Sequence, residues 1–191
     1  MTLFDKSATD IHTERLLLRP LRADDAEPIF ALFNNWEVVR WLAVPPWPYT
    51  IEDARGFVRG AVDPPPDDGE ERFAITLDGS LIGGIGTRMR PASHLQREAA
   101  PNFGFWLGQP YWGKGYMTEA VRGLARHVFA TRADDAIYSG AFADNCASLR
   151  VQAKVGFEWD GQTMLHCRPR GAEFLHVNTM LTRARFEARR P

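Results

Sequence analysis

The sequence predicts an α/β protein, a mixed sheet with helices packed on its faces. Three observations carry that expectation. Two strand-like runs, Glu71 to Leu77 and Leu81 to Arg90, flank Asp78-Gly79, a strong signal for a tight hairpin. One stretch, Tyr116 to Ala130, sets Met117, Ala120, Val121, Leu124, Val128 and Phe129 on one face at helical spacing. The order along the chain reads strand, helices, a run of antiparallel strands, helix, strand, helix, strands, and such an order builds a sheet covered by helices.

Each element has a local reason. Residues 1–12 read as a loose leader, and Thr13 to Arg19 (TERLLLR) as a strand ended by Pro20. Ala23 to Phe33 reads as a helix, with Asp24 and Asp25 near its positive end. A short helix is expected over Glu37 to Leu42, and Pro45, Pro46 and Pro48 then exclude regular structure. Thr50 caps a helix from Ile51 to about Val62, with Asp53 completing an approximate capping box. Residues 63–69 and 91–98 are loop-like. Within Leu81 to Arg90, Gly83, Gly84 and Gly86 point to a bulge or a close backbone approach. Asn102 to Leu107 and Ile137 to Phe142 read as strands. Asn145 to Val155 reads as a helix, with Gly156 just past its end and Phe157 as the following hydrophobic contact. Phe157 to Asp160 and Phe174 to Leu181 are expected as last strands, paired across an irregular loop. The domain is expected over 13–182 and a tail over 183–191.

Composition narrows the function. A chain of 191 residues, 45% hydrophobic and 25% charged, suits one globular domain with a sizeable core. Lys+Arg total 23 against 24 Asp+Glu, a net charge of -1, and no basic stripe for nucleic acid is present. The start of the chain lacks an apolar signal segment, and no run of eighteen apolar residues occurs. Two cysteines, Cys146 and Cys167, fit free thiols in a reducing compartment. The expectation is therefore a soluble cytoplasmic protein without nucleic-acid or membrane partners. The five histidines and two cysteines show no metal-ligand spacing, so no metal is expected.

The chemistry concentrates in Asn102 to Ala120, where a strand runs through a glycine-bearing loop into the long helix. Gly113 and Gly115 permit close backbone approach to a ligand. The unpaired N–H groups of the first helical turn favour a phosphate or pyrophosphate there, and Lys114 adds positive charge. Three readings compete. Gly108 to Lys114 fits the G-x-x-x-x-G-K of a P-loop, but Gly115 follows where a magnesium-holding hydroxyl is needed. A glycine-rich turn without a ligand is the second. A coenzyme A pyrophosphate cradle is the third.

WGKGYMTEA (112–120) resembles the pyrophosphate loop and helix start of the GNAT N-acetyltransferase superfamily, with Trp112 and Met117 departing from its usual residues. NCASLRVQAKVGF (145–157), TERLLLRPLRADDAEPIF (13–30) and YTIEDARGFV (49–58) resemble segments of the branch that acetylates ribosomal-protein N-termini, the RimJ/RimL type. The resemblance spans about 13–182. It implies a central, mostly antiparallel sheet of about seven strands, splayed into a V and flanked by about four helices. Acetyl-CoA would lie in the V as co-substrate. The strand at Phe105, Trp106 and Leu107 would pair with the pantetheine arm, and Gly113, Lys114, Gly115, Tyr116, Met117 and Thr118 would hold the pyrophosphate. The acceptor amine, on a small molecule or a protein N-terminus, would attack the thioester directly.

Individual residues carry two readings each. Asn145 is a favoured helix cap, and the resemblance adds a pantetheine contact. Ser148 is an ordinary helix serine or, by resemblance, the proton donor to the leaving thiolate. In that branch a glutamate often stands where this chain has Asn102, which can hold a water but cannot accept a proton. The base is then a water chain or another group, with His94, His176, Glu37 and Glu98 as candidates. Glu119 reads as complementing the helix dipole. Cys146 reads as a small thiol rather than an acyl carrier. Arg150 and Lys154 read as solvated helix charges, with the CoA 3′-phosphate as the other option. Trp36, Trp41 and Trp47 suggest an apolar, flat-walled acceptor pocket. The function expected is N-acetyl transfer from acetyl-CoA to a primary amine. The alternative is a non-catalytic acyl-CoA-binding or sensing domain, favoured by Asn102. A homodimer stays open.

Overall fold

The computed structural model describes residues 9–63, 70–91 and 99–189. Among them, eight strands form one sheet, β1 (Ile11–His12), β2 (Leu17–Pro20), β3 (Glu70–Leu77), β4 (Ser80–Arg90), β5 (Ala100–Leu107), β6 (Ala136–Phe142), β7 (Glu158–Cys167) and β8 (Ala172–Thr182). The helices are α1 (Ala26–Phe33), α2 (Trp36–Val39), α3 (Ile51–Val62), α4 (Tyr116–Thr131), α5 (Cys146–Val155) and α6 (Arg183–Glu187). The sheet order is β1-β2-β3-β4-β5-β6-β8-β7. Every neighbouring pair is antiparallel except β5 and β6.

Period-two alternation sorts the sheet's two faces. Phe73 and Ile75 of β3 join the cluster under α4, with Val121, Leu124 and Val128. Ala74 between them joins the cluster under α1 and α3, with Ile29, Phe33, Ala54 and Val58. The register of β3 and β4 shifts between Ile75 and Thr76, which leaves Ile82 as the extra residue of a bulge. The glycines of β4 serve close approach: a Cβ at Gly83 would lie 2.5 Å from the Trp106 carbonyl, and one at Gly84 2.6 Å from the Trp106 indole nitrogen. Asp78 (φ 49) and Gly79 (φ 80) supply the hairpin turn. Thr50 and Asp53 close the capping box of α3 in both directions.

Three expectations need correction. The single strand over Thr13 to Arg19 is two strands, because the chain turns at 13–16 with Thr13 N–H bonded to the Leu16 carbonyl. The sheet thus begins at Ile11, inside the stretch expected as a loose leader. The irregular loop expected after Asp160 is instead the bulk of a long β7–β8 hairpin, paired from Glu158↔Met180 to Cys167↔Ala172. Its exposed, mostly polar alternation hides the strand signal. The sheet has eight strands rather than about seven, and two of the six helices have only four and five residues. Asp25 stands at the N-cap of α1, as expected, and is also buried. It is 3% exposed and takes both guanidinium nitrogens of Arg19 at 2.7 Å plus the Arg22 N–H at 2.7 Å. Three donors are what let a carboxylate stay buried.

Candidate active site

β5 and β6 run parallel and pair only at Asn102↔Tyr138. Beyond that point they part, and the gap opens into a cleft of about 650 Å³. β5 from Phe103 to Leu107 forms one wall and β6 from Gly140 to Phe142 the other. The splay follows from having parallel neighbours joined by one register pair, since nothing further zips the two strands.

At one end of the cleft β5 runs through a single 3-10 turn (Gln109–Tyr111) into the loop before α4. Gly113 (φ 76) and Gly115 (φ 83) take left-handed conformations that favour glycine. A Cβ at Gly113 would meet nothing within 4 Å, so that face of the loop is open to a ligand. Gly115 is the N-cap of α4 and offers no side chain to its first-turn amides. The first-turn amides of this 16-residue helix thus lack a side-chain cap, an arrangement that suits an anion. Tyr116, Met117 and Thr118 line the cleft beside them. Lys114 does not: its ammonium lies 5.8 Å from the Tyr111 ring centroid.

The loop is clamped from the far end of the sequence. Arg15 donates from Nη1 to the Lys114 carbonyl at 3.1 Å and from Nε to Glu119 at 2.7 Å, with its guanidinium 4.6 Å from the Tyr116 ring centroid. Glu119 also accepts the Thr13 hydroxyl at 2.6 Å and the Arg15 N–H at 2.7 Å. Burial pushes the Glu119 carboxyl up, but the bonds from Thr13 and Arg15 outweigh it and hold the carboxyl below its ordinary value. Glu119 is thus a bolt between α4 and the β1–β2 turn, more than a complement to the helix dipole.

On the other wall α5 begins at its cap. The Asn145 Oδ1 accepts the Ser148 N–H at 3.1 Å, which satisfies the capping role. The Ser148 Oγ accepts from the Gln152 amide at 3.2 Å, and the Gln152 carbonyl oxygen accepts the Thr179 hydroxyl at 2.5 Å. Gln152 is 1% exposed. With its oxygen held by a buried donor, Ser148 keeps its own hydroxyl proton available to a partner in the cleft. Cys146, exposed, and Arg150 and Lys154 also line this wall.

The opposite end gathers side chains. Glu37, Trp41, Leu42, Phe142, Asp144 and His176 line it. Of the three tryptophans expected there, only Trp41 lines the cleft; Trp36 and Trp47 pack on each other with ring centroids 5.4 Å apart. Glu37 faces Arg40 at 3.3 Å, and Asp144 holds Arg170 at 2.6 Å. His176 shares a hydrogen bond with Asn178 Oδ1 at 2.9 Å, and burial lowers its pKa. Asn102 sits at the apex, paired with Arg88 and Tyr138, and is not part of the cleft wall. His94 and Glu98 lie outside the described residues. Among the described residues no His, Cys, Asp and Glu cluster could hold a metal ion, and no helix is long and apolar enough to cross a membrane.

Sequence reasoning missed Arg15, Gln152 and Thr179. Arg15 meets Glu119 across 104 positions, which leaves no local trace. Gln152 did leave one, since it follows Ser148 by four positions on a helix, a spacing that puts two side chains in reach. Phe142 and Tyr111 were read only as strand and loop residues, and Trp112, read as a departure within the pyrophosphate loop, donates its indole N–H to the Leu107 carbonyl at 2.7 Å.

A splayed sheet with an anion-binding loop at one end of its cleft and a side-chain pocket at the other belongs to the transferases that carry acyl groups on coenzyme A. The description "Acetyltransferase (GNAT) domain" matches residues 15–158, and the chain belongs to this family. YoaA of Bacillus subtilis, an uncharacterized N-acetyltransferase, is 29% identical over 79% of this chain and 84% of its own. The spermidine N(1)-acetyltransferase of Escherichia coli K12 is 25% identical over 77% and 75%. RimJ of Mycobacterium smegmatis, solved with CoA-disulfide, superposes with a TM-score of 0.79 at 21% identity, covering 93% of this chain and 89% of its own. The microcin C7 self-immunity acetyltransferase MccE, solved with acetyl-CoA and AMP, gives 0.76 at 18% identity over 93% and 99%. The chain is accordingly an N-acetyltransferase, and the binding-module alternative gives way to the enzyme.

Proposed function

We propose that this N-acetyltransferase takes the acetyl group from acetyl-CoA and delivers it in one step to a primary amine carried by a small molecule or a peptide N-terminus. The observation that carries the reading is the two-ended cleft, with backbone donors at the α4 end and aromatic and acidic side chains at the α2 end. The glycine loop suits a pyrophosphate, because a Cβ at Gly113 would point into open space and Gly115 leaves the first amides of α4 uncapped. Phe105, Trp106 and Leu107 supply strand backbone along which a pantetheine arm can pair, and Asn145 faces it from α5.

An amine arrives mostly as ammonium and must lose a proton before its lone pair can attack the thioester carbon. As the C–N bond forms and the C–S bond breaks, the electron pair leaves on sulfur. Ser148, its oxygen anchored by Gln152, is the donor for that sulfur. Thiols titrate near 8.5, so this proton donation contributes modestly to the rate. Trp41 and Phe142 give the acceptor end aromatic walls, and the spermidine N(1)-acetyltransferase named above supports an amine acceptor.

Thiol release from acetyl-CoA against a panel of polyamines, amino acids and N-terminal peptides tests the reading. Release that depends on one amine class is expected and names the acceptor. Binding of acetyl-CoA with no amine-dependent release overturns it.

A further inference from the structure

We propose that His176 is the base that takes the proton from the incoming ammonium, held in place by Gly140 and Asn178. This rests on the acetyl-transfer reading above and supplies the step that Asn102 leaves open. Asn102 lies at the apex of the splay, outside the cleft wall.

The geometry of the ring is specific. β8 pairs with β6 at Gly140↔Asn178 and Phe142↔His176. The imidazole leans back over β6 into the space where residue 140 has no side chain. A Cβ there would lie 2.3 Å from the His176 Cε1 and 3.1 Å from Nδ1. Phe142 supports the ring edge-on, with centroids 5.6 Å apart at 89°. The Asn178 Oδ1, an acceptor 2.9 Å from Nδ1, keeps the proton on that nitrogen and leaves the Nε2 lone pair free to accept.

The other polar groups on the wall suit the task less. Arg150 and Lys154 are donors without an acceptor. Glu37 and Asp144 already face Arg40 and Arg170. Thr163 stands opposite His176 on β7, and the charge that bears on the ring is that of Arg90. Burial together with Arg90 outweighs the Asn178 bond and keeps the ring neutral, as a base must be, at neutral pH.

The proton count closes. One proton passes from R–NH3+ to Nε2 and on to water. The second leaves the nitrogen after the C–N bond forms and replaces the one that Ser148 gives to sulfur. One proton is released per turnover.

The test is the pH dependence of kcat at saturating amine for the wild type, His176→Gln and Asn178→Asp. Wild-type kcat is expected to rise and level off below neutral pH. The His176→Gln variant should lose about 100-fold or more at neutral pH, and its rate should keep rising with pH without a plateau. Asn178→Asp places a carboxylate on Nδ1, so the inflection should move to higher pH while activity persists. Acetyl-CoA affinity, measured by calorimetry on each variant, should stay at the wild-type value and certify the fold. A His176→Gln enzyme with the wild-type profile, or an inflection unmoved in Asn178→Asp, overturns the base while leaving acetyl transfer intact. A wild type that transfers to no amine overturns acetyl transfer, and the base with it.

Discussion

At the α4 end of the cleft the groups on offer are main-chain amides, fixed by two glycines in left-handed conformations, whereas at the α2 end they are side chains from α2, β6, β8 and the loops between elements. The difference sets how each end tolerates change. An amide donor does not depend on which side chain it carries, so the first end constrains backbone shape and leaves Lys114 or Thr118 exchangeable. The second end depends on side-chain identity at every position. The first suits a co-substrate shared by a whole family, and the second an acceptor particular to one member.

Four substitutions break or sharpen that contrast, from the largest effect to the smallest. Gly115→Val forces a β-branched residue to φ 83 at the N-cap of α4, and strain of that kind costs ~1–3 kcal/mol. The strain falls on the start of the helix, so acetyl-CoA affinity should fall by about 100-fold in a folded protein, read by calorimetry. Unchanged affinity would remove the cradle. Trp41→Ala deletes an aromatic wall at the other end. The KM for the amine should rise by about 10-fold with the KM for acetyl-CoA unmoved, in line with a lost aromatic contact. A shift in both constants would mean that the two ends are not separate.

Glu119→Gln tests the clamp. A carboxyl held below its ordinary value of 4.5 contributes stability above that pH, and the contribution is lost as pH falls through the lowered folded value. The variant should therefore melt about 2–4 °C below wild type at neutral pH, and the gap should close in acid. An equal gap at both ends of the pH range would assign the loss to shape rather than charge. Lys114→Ala should weaken acetyl-CoA binding by only about 3-fold, as expected for one exposed charge. A large loss would mean that the lysine, and not the backbone, holds the anion.

The same contrast explains what the sequence made legible. Backbone devices announce themselves in short patterns: Gly113 and Gly115 before the Tyr116 helix, Thr50 with Asp53, Asp78-Gly79 and Asn145 were all readable, and the structure puts each at the turn or cap its residue type favours. Side-chain constellations gather residues from distant elements, and periodicity is silent about them. Trp36, Trp41 and Trp47 look alike as sequence, yet Trp41 faces the cleft while the other two face each other. The part of β7 beyond Asp160 was lost for a related reason. Met164 and Leu165 are adjacent and both exposed, so the segment shows no one-sided apolar alternation to mark it as half-buried.

The clamp from Arg15 and Thr13 to Glu119 also has a temporal side. Contacts that span more than a hundred positions close only after the intervening chain has collapsed. The glycine loop can take its turn early, from local conformation alone, but it acquires its anchor only when the first hairpin docks onto α4. Anchoring of the loop then trails assembly of the sheet, and a nascent chain can look folded by its helices before the loop at the head of α4 is fixed.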